Sequence, residues 1–178
     1  LDGYSRAGRN YPPVVREHQT GVDVVTWGEY VELGYLREYR TLDVSLQRLR
    51  TVIDELREAL GTPYPLATAK PYVHDRDLVW EVQENAGLPQ TLAIVVRTGQ
   101  TIALGAAASK FMRKVEFESP NSGEIVRLRP NGSASPVVMD PKIRFGRPTV
   151  QGVATERLWE LHDAGEDISW IASTYELP

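Results

Sequence analysis

The chain has 178 residues, of which 42% are hydrophobic and 25% charged, the balance of an ordinary globular protein. It contains no cysteine, which excludes disulfides, thiol nucleophiles and thiolate zinc sites. Its net charge of −4 argues against a broad nucleic-acid-binding coat and leaves a local basic face possible. No apolar run approaches the roughly 18 residues that span a bilayer, and we expect a cytoplasmic protein.

Residues 1–25 contain the first group of basic side chains. Glycine and proline punctuate this stretch around a short extended run, which predicts a loop or a β-wing. Arg6, Arg9 and Arg16 fall within it. A solvated basic loop is the plainer interpretation, and contact with phosphate groups is the more specific one.

Two helices are predicted next. Thr26 is a suitable N-cap for a helix over Trp27–Arg40, and Ser45 for a second helix that Gly61 ends. Apolar residues of the second helix recur at alternating steps of three and four, the a/d spacing of a helix pair inside a domain or across a dimer. This dimer or packing seam comprises Leu46, Leu49, Ile53, Leu56 and Leu60.

Residues 65–135 predict a mixed middle region with hairpins. Tyr72–His74 and Leu78–Trp80 predict one hairpin around the turn-forming residues between them. Val115–Phe117 and Ile125–Leu128 predict a second hairpin.

Three shorter stretches complete the middle region. Leu92–Val96 fits either a buried strand or a short helix, because periodicity does not separate the two. The alanine-rich run Gly105–Lys114 predicts a helix. Arg129–Ser135 has the composition of a linker, and a domain boundary is expected there.

Residues 136–178 predict a helix-turn-helix domain. Val137–Met139 reads as a strand, Thr155 as the N-cap of a first helix and Asp167 as the N-cap of a second. Trp159 and Trp170 fit either the groove between these helices or a subunit contact. The inward face of the second helix is expected to consist of Ile168, Ile171, Ala172 and Tyr175.

No catalytic constellation is evident. The motifs GxSxG, GxGxxG, HExxH and the P-loop are all absent. Every acidic residue that can be placed has a turn or capping role that explains it. We therefore expect no enzyme, no catalytic or metal-binding residues and no cofactor.

Together these patterns predict a helix-rich α+β protein in three parts. A winged helix-turn-helix-like part occupies residues 1–64, the mixed β-hairpin region residues 65–135, and the helix-turn-helix domain residues 136–178.

The last part resembles the domain-of-unknown-function family four hundred thirty-three. The similarity lies in Asp140–Pro141, Phe145–Gly146, Pro148, Gly152 and Thr155, followed by Ala164–Gly165–Glu166, Ile171–Ala172 and Tyr175. The amino-terminal part resembles the DNA-binding portion of VapB-type antitoxins of that architecture. There LDGYSRAGRNYPPVV is similar to the end of a MerR-like recognition helix and its wing, and VTWGEYVELGYLREY and DVSLQRLRTVID are similar to the two helices that follow.

The resemblance implies an antitoxin of a type II toxin–antitoxin system. Such a protein binds and neutralises a PIN-domain ribonuclease toxin and represses its own operon by binding operator DNA, usually as a homodimer. Under this resemblance the expected DNA-binding residues are Arg6, Arg9 and Arg16, with Ser45, Arg48 and Arg50 as further candidates. The first MerR-like helices and a third carboxy-terminal helix have no counterpart here, and we expect a piece of a longer protein.

Two alternatives stay open at this point. A dimeric interaction or scaffold protein without a nucleic-acid role fits the a/d seam, the tryptophans and the acidic balance. A metal-dependent nuclease fits the abundance of carboxylates, and it requires four of them to converge in one cleft.

Overall fold

The computed structural model describes residues 2–42, 45–87, 93–98, 101–119 and 123–178. The chain divides into two compact units. Unit 1 comprises Leu1–Met112 and Phe117–Ile125, and unit 2 comprises Arg113–Glu116 and Val126–Pro178. Helices and small antiparallel sheets make up both units, so the fold is α+β as the sequence predicts. The division into three parts at residues 64 and 135 stays a prediction.

Unit 1 opens with a hairpin of β1 (Tyr4–Arg6) and β2 (Arg9–Tyr11), which pair antiparallel. The two helices that follow, α1 (Trp27–Arg40) and α2 (Leu46–Leu60), confirm the predicted ones. Thr26 caps α1 through a capping box with Glu29, in which each side chain bonds the other residue's backbone N–H. Ser45 caps α2, and Gly61 ends it in the left-handed conformation at φ 62°.

The predicted hairpin at Tyr72–Trp80 is wrong. The chain forms a single π-helical turn over Lys70–His74 and then helix α3 (Arg76–Asn85). Val79 and Val82 fall on the buried face of α3, a helical spacing that overrides the short β-like run. Asp77 lies in the first turn of α3, where a carboxylate favours the helix dipole.

The remainder of unit 1 follows the predictions more closely. The run at 92–96 leads into a strand, because β3 (Val95–Thr98) pairs antiparallel with β4 (Thr101–Leu104); Leu92 lies outside the described residues. The alanine-rich helix is confirmed as α4 (Ala106–Met112). A short 3-10 turn, Pro65–Ala67, follows α2.

The core of unit 1 combines an aromatic cluster with the a/d seam. The rings of Tyr35 and Phe111 meet edge to face with their centroids 4.9 Å apart, and Tyr72 packs against both rings. Four seam residues are buried within unit 1, whereas Leu46 is half-buried; the four are Leu49, Ile53, Leu56 and Leu60. The seam therefore packs inside the unit.

Unit 2 contains a three-stranded antiparallel sheet. Its order is β7 (Val137–Val138), β8 (Thr149–Val150) and β9 (Val153–Ala154). The chain turns from β8 to β9 through Gln151 and Gly152, both at positive φ, as a two-residue hairpin requires. The predicted second hairpin is confirmed by the pairing of β5 (Val115–Phe117) with β6 (Ile125–Leu128), whose residues are divided between the two units; residues 120–122 lie outside the described residues.

Two short helices complete unit 2: α5 (Thr155–Asp163) and α6 (Ile168–Thr174). The capping prediction for Asp167 is confirmed, because its carboxylate accepts a hydrogen bond from Ser169 N at 2.8 Å. Thr155 is instead the first residue of α5, and Ala154 occupies the cap position without a side-chain bond. Of the expected inward face, Ile171 is buried and Ala172 and Tyr175 are half-buried, but Ile168 at the start of α6 is 66% exposed and does not belong to it.

No helix in the described ranges is long and apolar enough to cross a membrane.

Two glycines of α1 provide a matched test of its packing. A Cβ on Gly28 would lie 2.4 Å from the Tyr64 ring, whereas a Cβ on Gly34 would meet Phe111 at an ordinary 3.8 Å. We expect Gly28→Ala to destabilise the fold, because the half-buried ring must move. Gly34→Ala is expected to stabilise it by about 0.5–1 kcal/mol, through lower backbone entropy in the unfolded chain. Urea unfolding of both variants checks the opposite signs; equal shifts would contradict this packing.

Candidate nucleic-acid interface

The β1–β2 hairpin holds two of the predicted DNA contacts at its tip. Arg6 and Arg9 are direct partners across the hairpin, and both are exposed. Ala7 and Gly8 form the turn between them at φ 50° and 72°, the left-handed pair that a tight hairpin needs. Tyr4 and Tyr11 stack at the base of the hairpin with ring centroids 4.7 Å apart. The hairpin thus carries two guanidinium groups on a short, defined stem.

Arg16 has a different role, because it is buried and its guanidinium is bonded inside the unit. Its Nε donates to Glu29 at 2.7 Å, and its Nη1 donates to Asp2 at 2.7 Å. Further hydrogen bonds run to Thr20 and to backbone carbonyls of residues 22 and 24. These contacts tie residues 2–25 to α1. The buried guanidinium of Arg16 is therefore not available to a phosphate group, contrary to the prediction.

The two carboxylates of this cluster are stabilised in their charged forms. The hydrogen bond from Arg16, reinforced by the Thr20 amide, lowers the pKa of Asp2 to about 2. Burial alone would raise the pKa of Glu29, but the bonds from Arg16 and from the Thr26 amide outweigh burial and lower it. The cluster therefore remains ionised at neutral pH.

Two arginines of α2 also bind the segment that follows the hairpin, through its backbone carbonyls. Arg50 donates from Nε to Pro13 O at 2.9 Å and from Nη2 to Pro12 O. Arg57 donates from Nη2 to Val15 O at 2.8 Å. The predicted phosphate contact Arg50 is thus half-buried and engaged with the loop that follows the hairpin.

The other predicted contacts of α2 lie at its exposed amino-terminal end. Arg48 and Ser45 are both exposed, and Ser45 Oγ accepts from Arg48 N at 3.5 Å as a helix cap. Arg6, Arg9 and Arg48 are consequently the exposed arginines of the predicted DNA-binding set, whereas Arg50 is half-buried and Arg16 is buried. Sequence reasoning missed two residues of this arrangement, Arg57 and Glu29. No local pattern marks Arg57, whereas the three-residue spacing between Thr26 and Glu29 is that of a capping box and could have identified Glu29.

A largely apolar cavity of about 310 Å³ lies between the hairpin segment and α1. Gly3, Tyr4 and Pro12 line one side, and Leu33 and Leu36 the other. Arg37 and Arg40 also belong to its lining.

Charge is segregated along unit 2. The turn between β7 and β8 is basic, with Lys142, Arg144 and Arg147 all exposed. The helix pair α5–α6 is acidic: Arg157 is outnumbered there by Glu156, Glu160, Asp163, Glu166, Asp167 and Glu176. Phosphate contact is therefore favoured at the turn and disfavoured at the helix pair.

The two tryptophans of the helix pair lie on its surface. Trp159 is 65% exposed and Trp170 is 49% exposed, so neither fills the groove between α5 and α6. A role in a subunit contact stays a prediction.

Two further carboxylates are buried in unit 1. Glu32 is fully buried; its Oε1 accepts from Leu66 N at 3.0 Å, and its Oε2 has no hydrogen-bond partner within the described chain. Burial raises the pKa of Glu32 to about 8. Glu38 instead pairs with Lys110 at 2.6 Å.

A metal-dependent nuclease needs several carboxylates around one ion. In the parts of the chain that the structure describes, no three histidine, aspartate or glutamate side chains come together in a way that holds a metal.

The architecture defines a two-unit α+β protein with an arginine-tipped hairpin on its first unit. No family model matches the chain. Its fold is similar to the X-ray crystal structure of Rv2018 from Mycobacterium tuberculosis, with a TM-score of 0.70 at 20% identity over 86% of this chain and 74% of that one.

The chain is also 32% identical over 182 residues to a protein of Mycobacterium tuberculosis strain H37Rv described as the uncharacterized protein Rv2308. The match covers 99% of this chain and 76% of that relative. The chain belongs to the same family as Rv2308.

Proposed function

We propose that this protein is the antitoxin of a type II toxin–antitoxin system. In this proposal it neutralises a PIN-domain ribonuclease toxin and represses its own operon by binding operator DNA as a dimer. The observation that carries the DNA-binding half is the β1–β2 hairpin, which presents Arg6 and Arg9 and directly follows Asp2, an ion-pair partner of the buried Arg16. The antitoxin half is supported by the resemblance of the sequence to VapB-type antitoxins.

The hairpin has the properties that a DNA-binding wing requires. A wing must hold its cations at a fixed distance from the helices. The cations then contact the DNA phosphates without an entropy cost for ordering the wing on binding. Glu29 of α1 provides that fixation by pairing with Arg16 in the loop after the hairpin, and Arg50 of α2 provides it by bonding Pro13 O. We therefore assign β1–β2 as the phosphate-contacting wing, and the acidic pair α5–α6 as a helix-turn-helix that does not contact phosphate.

Toxin binding is tested by co-expression with the ribonuclease encoded next to this chain. We expect the two proteins to co-purify in a defined ratio and RNA cleavage by the ribonuclease to stop. A ribonuclease that elutes alone and retains its activity would remove the antitoxin assignment.

DNA binding is tested at the hairpin tip. Replacing Arg6 and Arg9 together with alanine is expected to weaken binding to the promoter duplex. The slope of log K against log salt concentration should fall by about 2, because each phosphate contact contributes roughly one unit. Fluorescence anisotropy at several salt concentrations measures both quantities.

Arg157→Ala is the matched control, because it removes one exposed arginine from the acidic helix α5. It should leave the salt slope unchanged. Equal losses in the control and in the hairpin variant would point to net charge alone and argue against a specific wing.

A second candidate is a dimeric interaction or scaffold protein without a nucleic-acid role. The exposed Trp159 and Trp170 on the acidic helix pair favour it, because large exposed aromatics are frequent anchors of protein interfaces. Light scattering combined with the promoter titration separates the candidates. A stable dimer that has no salt-dependent affinity for the promoter would support the scaffold.

A further inference from the structure

The turn between β7 and β8 presents an aromatic side chain in an unusual way. We name residues Lys142–Arg147, with the sequence KIRFGR, the Phe145 turn. Phe145 is 100% exposed, and its neighbour Ile143 is 37% exposed. The turn also contains three exposed cations and no acidic residue.

Packing does not account for Phe145. A fully exposed ring buries no apolar surface, so it contributes nothing to the core of unit 2. Its backbone is also unfavourable for a bulky residue, since Arg144, Phe145 and Gly146 lie consecutively at φ 48°, 56° and 82°. Glycine or asparagine would adopt this left-handed backbone conformation at lower energetic cost than phenylalanine. An aromatic residue held there indicates a use outside the fold.

The turn is braced from both ends. Gly146 N donates to Ile143 O at 3.1 Å, and Arg147 N donates to Arg144 O at 3.2 Å. Arg144 Nε donates to Gly152 O at 2.9 Å, which joins the turn to the β8–β9 hairpin. Phe145 is therefore presented on a pre-organised support, and binding through it needs little further ordering of the backbone.

The start of the turn is fixed by a buried carboxylate. Asp140 is 5% exposed, and its Oδ1 accepts from Lys142 N at 2.8 Å. Its Oδ2 pairs with Arg127 Nε at 2.8 Å. Asp140 thus orients the turn.

We propose that the Phe145 turn is a nucleic-acid-binding site, in which Phe145 stacks on a base and Lys142 and Arg144 contact the flanking phosphates. A single exposed ring next to cations matches this ligand, because every base offers a π-face and every nucleotide a phosphate. In duplex DNA the same ring acts as a wedge at a base step. That the DNA is the operator of this chain rests on the proposed function.

A protein partner fits the turn less well. A stable protein interface buries about 800 Å² on each partner and surrounds its anchor residue with a ring of further contacts. Six residues of turn supply only a fraction of that area, whereas stacking on one base requires only one ring. An acidic protein partner is accordingly an outcome that the test must separate.

The test titrates the full chain against labelled promoter duplex, its single strand and the corresponding RNA. Phe145→Ala should weaken binding to the preferred probe by about five- to 150-fold, the effect of losing one base–aromatic stack. Phe145→Trp, which keeps a stacking ring, should retain affinity and report binding through base quenching of the new indole. Phe145→Leu, which keeps only apolarity, should behave like the alanine variant on the single-stranded DNA and RNA probes, where a ring must stack, and should retain part of the affinity for the duplex, where an apolar wedge suffices.

Charge is tested separately at Lys142. Lys142→Gln should lower the salt slope by about one, while Phe145→Ala leaves the slope unchanged because it removes no charge. Unchanged affinity for all three probes in Phe145→Ala, with folding verified by circular dichroism, overturns the proposal whatever the result for Lys142→Gln. Loss of ribonuclease co-purification in Phe145→Ala, with nucleic-acid affinity intact, also overturns it in favour of a protein contact.

The design separates this site from the proposed function. If Arg6→Ala/Arg9→Ala abolishes promoter binding and Phe145→Ala does not change it, the site is refuted and the antitoxin assignment stands. If the wild-type chain shows no preference for the promoter but binds single strands or RNA through Phe145, the site is supported and operator repression is refuted.

Discussion

Replacing Glu32 with glutamine should make this protein more stable at alkaline pH. The carboxyl of Glu32 is completely enclosed, and one of its oxygens has no hydrogen-bond partner in the described chain. Ionising it there is unfavourable, because burial opposes the charge more strongly than the Leu66 amide and the positive charge of Arg57 favour it. Glutamine preserves the shape and the oxygen acceptor for Leu66 N without a titratable group.

The direction of the pH effect follows from the raised pKa. Between the ordinary glutamate value of 4.5 and the folded value of about 8, the folded state retains a proton that the unfolded state has lost. Stability contributed by this carboxyl therefore falls as pH rises through that window, by about 1.4 kcal/mol per pH unit. Below pH 4.5 the contribution is fully present, and above pH 8 the loss is complete.

Urea unfolding at intervals from pH 5 to pH 9 measures this effect. The wild-type free energy of unfolding should decline over the series by several kcal/mol, and Glu32→Gln should flatten the decline. Parallel wild-type and variant curves would show that Glu32 is ionised in the folded protein and would refute its protonated state.

Glu38→Gln is the matched control on the same helix. Glu38 is also buried, at 5% exposed, but it has a cationic partner in Lys110 at 2.6 Å. The same substitution there removes an ion pair, so it should destabilise the protein at neutral pH. Opposite signs for two buried glutamates six positions apart in α1 would establish that the partner, not burial alone, decides the outcome.

Most helices and caps were predictable because their signals are local, but α3, expected as a hairpin, and the cap of α5, expected at Thr155, were not. Thr26, Ser45 and Asp167 all cap the helices that the sequence assigned to them, since a capping bond spans only two or three residues. The seam of α2 was likewise readable from its spacing, and its burial inside unit 1 is the simpler of its two interpretations.

The roles of individual arginines were not predictable, because they depend on contacts between distant residues. Arg16 looked like a basic loop residue, and its acidic partners lie 13 and 14 positions away on either side. Arg50 bonds carbonyls 37 and 38 positions distant. Nor does periodicity mark Phe145, whose significance lies in an exposed left-handed turn that only the three-dimensional structure shows.

Glu29→Ala should couple a loss of stability to a loss of DNA binding. Glu29 is 3% exposed, pairs with the buried Arg16 and closes the capping box of α1. Without Glu29, Asp2 is the remaining carboxylate partner of Arg16 in this cluster. The hydrogen bond from Thr26 N to the Glu29 carboxylate at the start of α1 is also lost. Breaking a buried ion pair in this way costs about 3 kcal/mol.

Loss of DNA binding is expected because Arg16 joins residues 2–25, which include the hairpin, to α1. With its principal partner gone, residues 2–25 should detach from α1, and the hairpin should no longer present Arg6 and Arg9 in a fixed position. We expect faster proteolysis within residues 17–25 and weaker promoter binding with Arg6 and Arg9 still in place. Lowering the pH should mimic the variant, because Glu29 and Asp2 have depressed pKa values and their contribution is lost as pH falls through those values.

Glu58→Ala is the control, since it removes an exposed acid from α2 and should leave both proteolysis and promoter affinity unchanged. Limited proteolysis and anisotropy titration on the same preparations separate the steps of the argument. If Glu29→Ala accelerates cleavage of residues 17–25 but binds the promoter as tightly as the wild type, the hairpin does not depend on its anchor. DNA binding would then be assigned to another part of the chain, in the first place to the Phe145 turn.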